Sequence, residues 1–362
     1  MRKLNKIQEL VKKTGVDEIL IYNGGEPSLE LNFFYLTQLF DSGLFEESYL
    51  IGGSDESTIL TSRLEEFSAK KSGLNVSVYK DSKERNTKIS ELTNKAAKIG
   101  INMDYFSVSA FNRLKENLKD KEFVDISKAI QELRMVKEPK ELNILREAAK
   151  IASESVEAIL KDLKEGVKEY EIAALLTYTM LKNGASDNAF TPIIAFGKNS
   201  AEPHYFAGAV KLKKGDFVLM DFGARYQKYN SDITRTYVYG RANDAQKEMY
   251  ETVLTAQKIG IENARAGRNG KDIDGAVRSY IDSTKYKGLF IHSLGHGIGL
   301  ATHDHPGFAP GYELQTKENM VITVEPGVYQ PGFGGVRIED DVILKQGGCE
   351  VITTAHKELR EL

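Results

Sequence analysis

The sequence predicts a two-domain α/β protein, and three observations carry that reading. Its 362 residues are more than one hydrophobic core usually organises, so two domains are expected. Through the first third of the chain, short β-branched and aromatic runs alternate with stretches of helical periodicity, the pattern of an α/β domain with a mixed or partly parallel sheet. From about Pro139 onward the character changes. Two apolar-striped helices come first, then strands that carry carboxylates. The division read from this is an N-terminal domain over 1–126, a linker over 127–138 and a second domain over 139–362.

The elements follow in order. Leu4, Ile7, Leu10 and Val11 recur at helical spacing, so the chain opens with an amphipathic helix. Val16–Tyr22 reads as a strand closed by Asn23-Gly24-Gly25. Tyr49–Gly53 and Thr58–Thr61 read as two strands joined by a Gly-Ser-Asp turn, and Val76–Tyr79 as another. Lys83–Lys98 has helical periodicity; Ile99–Met103 and Phe123–Ile126 close the domain as strands. The aromatic run Asn32–Leu36 reads as core or interface rather than a cofactor site. Pro139 can open the next helix at its first turn. That helix carries the apolar stripe Leu142, Leu145, Ile151, Val156, Ile159, Leu160 and Leu163, and Gly166 stops it. A second helix spans about 168–181. Phe217–Gly223 and Ile233–Tyr239 read as a hairpin, followed by helices over about 244–264 and 272–284 and by two last strands around Glu325 and Glu339.

Composition excludes several classes. The net charge of −3 gives no basic field for nucleic acid or an acidic membrane. No apolar run approaches membrane-spanning length, and Met1–Lys6 lacks an apolar segment behind its charges, so a cytoplasmic protein is expected. The single cysteine, Cys349, excludes an internal disulfide framework and a cysteine-rich zinc site.

Chemistry concentrates late in the chain. Four of the six histidines lie between 292 and 305, and glycines flank His296 on both sides. Glycine there lets the backbone come close to whatever the imidazole holds. Asp221, Asp232, Glu325 and Glu339 each interrupt a segment that otherwise reads as a buried strand. A buried carboxylate is costly unless it is paired or bound to a metal. Four of them with one glycine-flanked histidine point to a shared cation site.

An oxygen-rich set without thiolate suits Mn²⁺ or Co²⁺, with Zn²⁺ or Fe²⁺ as the other fits, rather than a structural zinc. Four carboxylates balance two divalent ions. Two ions about 3.5–4 Å apart can bridge a water, lower its pKa and clamp a carbonyl. The implied class is metal-assisted hydrolysis. His204 and His303 are candidates to hold the carbonyl or its oxyanion, Glu325 to shuttle the proton, and Thr234 to orient the water. His292 and Arg337 are substrate-binding candidates. His292 reads equally as structural, and Arg337 reads equally as the partner of a nearby carboxylate. His305 reads as a loop residue in solvent and His356 as surface.

These residues carry a resemblance. Residues 292–304 resemble the signature of the Xaa-Pro peptidase branch (prolidase and aminopeptidase P) of the pita-bread metallopeptidases. That family's ligand order of Asp, Asp, His, Glu, Glu falls on Asp221, Asp232, His296, Glu325 and Glu339. Pro203-His204-Tyr205 is similar to the segment with the family's other active-site histidine, and the N-terminal region more loosely to a creatinase-type domain. The resemblance implies a pita-bread domain, a dinuclear metal site, a homodimer and cleavage of the bond before proline in dipeptides or short peptides. Aminopeptidase P activity on longer peptides is the alternative. A methionine aminopeptidase or a non-catalytic peptide-binding relative stand behind it. Two departures mark this chain: Thr302 where Ile or Val is usual, and no arginine in Asp304-His305-Pro306-Gly307-Phe308, where prolidases often carry one for the dipeptide carboxylate.

Overall fold

The computed structural model describes residues 3–26, 29–308, 310–311 and 313–362; for residues 3 and 4 it describes the backbone only. Leu4, expected on the apolar stripe of the first helix, therefore has no described side chain. The chain forms two compact units, Met1–Arg134 and Met135–Leu362.

In the first unit the elements are α1 (Lys3–Thr14), β1 (Glu18–Asn23), α2 (Leu31–Thr37), β2 (Ser48–Gly52), β3 (Ser57–Ser62), α3 (Glu66–Lys70), β4 (Asn75–Tyr79), α4 (Ser82–Leu92), β5 (Lys98–Ile101), α5 (Val108–Asn117), β6 (Glu122–Asp125) and α6 (Ser127–Met135). The six strands form one mixed sheet in the order β4-β3-β2-β1-β5-β6. The expected α/β pattern holds, with differences of detail. The helix read over Lys83–Lys98 stops at Leu92, where Thr93 turns its hydroxyl back to Ile89 O at 2.8 Å. The aromatic run at 32–36 is a buried helix, with Phe33, Phe34 and Leu36 fully enclosed. The stretch read as a linker over 127–138 is helical to Met135, started by the Asp125 carboxylate accepting from the Ser127 N–H at 2.9 Å.

The second unit opens with α7 (Pro139–Ile159) and α8 (Glu169–Lys182), then β7 (Asp187–Asn188), β8 (Ile193–Phe196), β9 (Phe217–Phe222), β10 (Ala224–Tyr226), β11 (Tyr229–Asn230), β12 (Ile233–Val238), α9 (Asp244–Asn263) and α10 (Gly270–Asp282). It closes with β13 (His296–Gly297), β14 (Asp304–Gly307), β15 (Val321–Val324), β16 (Gly327–Gln330), β17 (Gly334–Arg337), β18 (Asp340–Leu344) and β19 (Cys349–Val351). Pro139 stands at the start of α7 as expected, and Glu141 accepts from the Glu138 N–H at 2.9 Å.

Two sheets position the chemistry: β12-β9-β8, and β14-β13-β15-β18-β19. The expected hairpin is present, with β9 antiparallel to β12 and Asp221 opposite Thr234. The Glu339 N–H donates to Thr234 O at 3.1 Å and links the two sheets. Successive side chains of an extended chain point to opposite faces. Over 337–341, Arg337, Glu339 and Asp341 therefore turn to one side, while Ile338 and Asp340 turn to the other. Ile338 joins an apolar core with Val253, Val277 and Val342. Among the described residues no helix is long and apolar enough to cross a membrane.

Candidate metal centre

The five expected ligands come from five different pieces of backbone. Asp221 lies on β9, Asp232 just before β12, His296 on β13, Glu325 just after β15, and Glu339 between β17 and β18. The ligand atoms of Asp232, His296 and Glu339 all lie within 4.8 Å of one another. His296 Nε2 stands 3.7 Å from Asp232 Oδ2 and 3.4 Å from Glu325 Oε1. Its Nδ1 faces Gly297 O at 3.0 Å. A carbonyl can only accept, so Nδ1 carries the proton and Nε2 turns a lone pair into the carboxylate cluster. That is the tautomer a metal-binding imidazole needs.

The flanking glycines have a different reason from the expected one. A Cβ at Gly295 would sit 2.2 Å from Thr323 O, and one at Gly297 would sit 2.3 Å from His305 O. They allow β13 to press between neighbouring strands, rather than allowing a ligand to approach.

The residues fit divalent cations. Among the described residues, three buried oxygens of the cluster have no hydrogen-bond partner: Asp221 Oδ1, Glu339 Oε1 and Asp341 Oδ1. Unpaired buried carboxylate oxygens are costly, and cations satisfy them. Burial, followed by mutual repulsion, pushes Asp232 and Glu339 well above the usual carboxylate range. Burial likewise lifts Glu325 to about 7. The oxygen-rich donor set with one imidazole matches hard or borderline ions.

Asp341 is a member that sequence reasoning missed. Its Oδ2 accepts from the Asp232 N–H at 2.9 Å, and burial pushes its carboxyl well up. The signal was present, because Asp341 stands two residues past Glu339 and so on the same strand face.

Arg337 is buried and its guanidinium pairs with Asp221. Its Nε donates to Thr234 Oγ1 at 3.1 Å and its Nη1 to the Tyr329 hydroxyl at 2.7 Å. Of the two readings of Arg337, the geometry favours a partner for a cluster carboxylate. Thr234 Oγ1 also donates to Glu339 Oε2 at 2.6 Å, so it orients a carboxylate rather than a free water. Tyr329, also unforeseen, joins Arg337 to His292, whose Nε2 lies 2.8 Å from the phenol. His292 Nδ1 donates to Ser293 O at 2.8 Å, and burial lowers the ring's pKa to about 4. In this arrangement both ring nitrogens of His292 are engaged.

Two helices hold the histidine-bearing loops. Arg278 on α10 donates to Phe290 O at 2.9 Å and His292 O at 2.8 Å, while Asp274 accepts from the Leu294 N–H at 2.9 Å. Glu169 on α8 is fully buried and accepts from Phe196 N, Asn199 Nδ2, Tyr205 Oη and Gly208 N. It pins the loop that carries His204. His204 and His303 are both exposed at the wall of one cavity of about 850 Å³, over the cluster. The His303 ring stands edge-on to His296 at 4.3 Å. Phe190, Ile193 and Phe308 give the cavity an apolar side. His305, expected in solvent, is half-buried and also lines it. His356 is exposed beside Glu358, as expected. Cys349 is half-buried on β19 with its thiol pushed up to about 11 by burial, so it is protonated at neutral pH.

Residues 143–346 match the model of metallopeptidase family M24. The chain belongs to metallopeptidase family M24. Residues 3–136 match the creatinase/prolidase N-terminal domain. The chain is 38% identical over 358 residues to the Xaa-Pro dipeptidase of Pyrococcus furiosus, covering 99% of each. Among solved structures it is similar to the Xaa-Pro dipeptidase from Bacillus anthracis, with TM-score 0.92, 36% identity and 99% of each chain covered. It is also similar to the X-Pro aminopeptidase from Thermotoga maritima, with TM-score 0.91, 34% identity, and 98% of this chain and 99% of that one covered. The expected architecture, a creatinase-type N-terminal domain followed by a pita-bread metallopeptidase domain, holds for this M24 chain.

Proposed function

We propose that this M24 chain is a metal-dependent Xaa-Pro peptidase that hydrolyses the bond before proline at the N-terminal end of dipeptides or short peptides. One observation carries the reading: a buried carboxylate cluster with unpartnered oxygens opens onto a peptide-sized cavity. The near full-length likeness to a Xaa-Pro dipeptidase favours the dipeptidase form. The likeness to an X-Pro aminopeptidase favours the alternative, action on longer peptides.

Asp221, Asp232, His296, Glu325 and Glu339 would hold two divalent ions, Mn²⁺ or Co²⁺ by their oxygen-rich chemistry. Bound there, the ions would supply Lewis acidity, lowering the pKa of a water and polarising the scissile carbonyl. The chain's own residues supply the rest. Glu325, beside His296 and lifted by burial, can take a proton and pass it to the leaving nitrogen. His204 and His303 can donate to the developing oxyanion. The X–Pro nitrogen has no hydrogen to offer, so recognition falls on the ring, which suits the apolar side formed by Phe190, Ile193 and Phe308. The same reading takes residues 139–362 as the catalytic domain, 1–126 as its N-terminal companion, and a cytoplasmic homodimer as the working form.

The test is hydrolysis of Ala-Pro beside a longer Xaa-Pro peptide, with added Mn²⁺ or Co²⁺, a Met-peptide and Asp221→Asn as controls. Metal-dependent cleavage before proline is expected. Silence on every peptide, with no metal bound, overturns the reading.

A further inference from the structure

We propose that the first unit carries a binding site of its own, for a small planar aromatic anion such as a nucleoside monophosphate or an aromatic carboxylate. Topology gives the place. The chain lays down β1, β2, β3 and β4 outward in one direction, then resumes at β5 on the other side of β1. β1, β5 and β6 run parallel. In open α/β sheets ligands bind beyond the carboxyl ends of the strands, where the strand order reverses. Tyr22 stands at the carboxyl end of β1, Tyr49 opposite it on β2, and Phe106 in the loop that leaves β5.

These three rings line a cavity of about 370 Å³ between α4 and α5, a volume that suits a small molecule. The aromatic wall is continuous. Tyr22 stacks with Phe106 at 5.3 Å between ring centroids and lies against Tyr49 at 4.9 Å. Such rings pair with another planar π-system by offset or edge-on contact. Arg85 and Asn86 line the cavity from α4, and Arg113 lines it from α5.

The polar groups of this wall have hydrogen-bonding capacity left over. Tyr49 is 7% exposed, yet its hydroxyl makes no hydrogen bond among the described residues, whereas the Tyr22 hydroxyl donates to Glu47 at 2.6 Å. Arg85 gives Nη1 to Glu47, but its buried Nε has no partner among the described residues. Arg113 is exposed and forms no ion pair or hydrogen bond among the described residues. The acids nearby are Glu47, already engaged by Arg85 and Tyr22, and Glu116, exposed on α5 at the cavity rim. Two guanidiniums against one unengaged carboxylate favour an anion, and guanidinium is the side chain best shaped to hold carboxylate or phosphate. The Tyr49 hydroxyl and the Asn86 amide add neutral donors and acceptors for the rest of the molecule.

The test is isothermal titration calorimetry on the full chain with adenosine monophosphate, indole-3-acetate and inorganic phosphate. At least one of the two ring-bearing anions should bind roughly tenfold more tightly than phosphate, the scale of a stacked ring. Whichever binds more tightly identifies the source. Arg113→Ala should weaken that binding about tenfold, as the loss of a charge-assisted hydrogen bond does, and Arg113→Lys should recover part of it. Arg113 is exposed and has no partner to lose, so the fold should be unaffected. Tyr49→Phe keeps the ring, removes the hydroxyl and should weaken binding about fivefold. The readout needs no turnover, so its failure and that of the peptidase reading are distinguishable. No binding of either ring-bearing anion at millimolar concentration, phosphate bound as tightly as both, or binding unchanged in Arg113→Ala and Tyr49→Phe alike overturns the assignment.

Discussion

Asp340 and its neighbours Glu339 and Asp341 are consecutive acids, all at most 1% exposed, and their carboxylates meet opposite environments. Asp340 is saturated. One oxygen accepts from Arg235 at 2.8 Å and Thr353 at 2.7 Å; the other accepts from Gln257 at 2.7 Å and Lys357 at 2.6 Å. Arg235, buried in turn, also clasps the carbonyls of Ala355 and His356. Glu339 and Asp341, on the other face, each keep an oxygen with no partner among the described residues. Burial alone therefore does not mark a metal ligand. The mark is burial with hydrogen-bonding capacity left over.

The contrast can be broken most sharply at Glu339. Glu339→Gln should lower Ala-Pro hydrolysis about a thousandfold, roughly 4 kcal/mol of lost transition-state stabilisation. Its urea midpoint in EDTA should hold or rise, because one member of a like-charge cluster is gone. A large fall in metal-free stability would place Glu339 with Asp340 as a structural acid. Asp340→Ala should do the reverse. It strands the buried Arg235 and removes the partner of the half-buried Lys357, so stability should drop by about 3–5 kcal/mol in urea titrations, to the same extent with or without Mn²⁺.

Metal removal sharpens the same comparison through pH. Asp232, Glu339, Asp341 and Glu325 have raised pKa values in the metal-free fold, whereas in the unfolded chain such acids ionise near pH 4. Raised acids cost nothing below the unfolded value and destabilise increasingly as pH climbs toward the folded one. In EDTA, Tm should fall between about pH 5 and 8, and the Tm gain on adding Mn²⁺ should grow over that range. A flat metal-free curve would mean that the cluster is already compensated. The smallest effect is expected at Tyr329→Phe, which removes the hydroxyl joining His292 to Arg337. A loss of about 1–3 kcal/mol in stability is expected, and no loss would remove Tyr329 from the network.

Much of this was legible before any coordinates. Asp221, Asp232, Glu325 and Glu339 stood out because each interrupts an apolar strand, and His296 because of its glycines. Asp341 was hidden inside an acidic run, where Asp340 between the two ligand-side acids blurred the alternation. Tyr329 carries no local mark, since its partners lie 8 and 37 residues away. In the N-terminal unit the strands were readable from β-branched runs, whereas α5 and α6 were missed. Their one-sided apolar faces are short, and their starts depend on Ser107 and Asp125 accepting nearby backbone N–H groups.

The alternation over 337–341 has a consequence for how such a gene can drift. A period of two leaves no slack: one codon inserted or deleted between Arg337 and Asp341 would turn the saturated acid toward the carboxylate cluster and a cluster acid toward Arg235. A single frame-preserving length change would then injure catalysis and folding together, whereas substitutions can injure them one at a time. Loops elsewhere in the chain can gain or lose residues. Here the spacing itself carries the function, so a substitution around these positions should be tolerated more readily than a change in length.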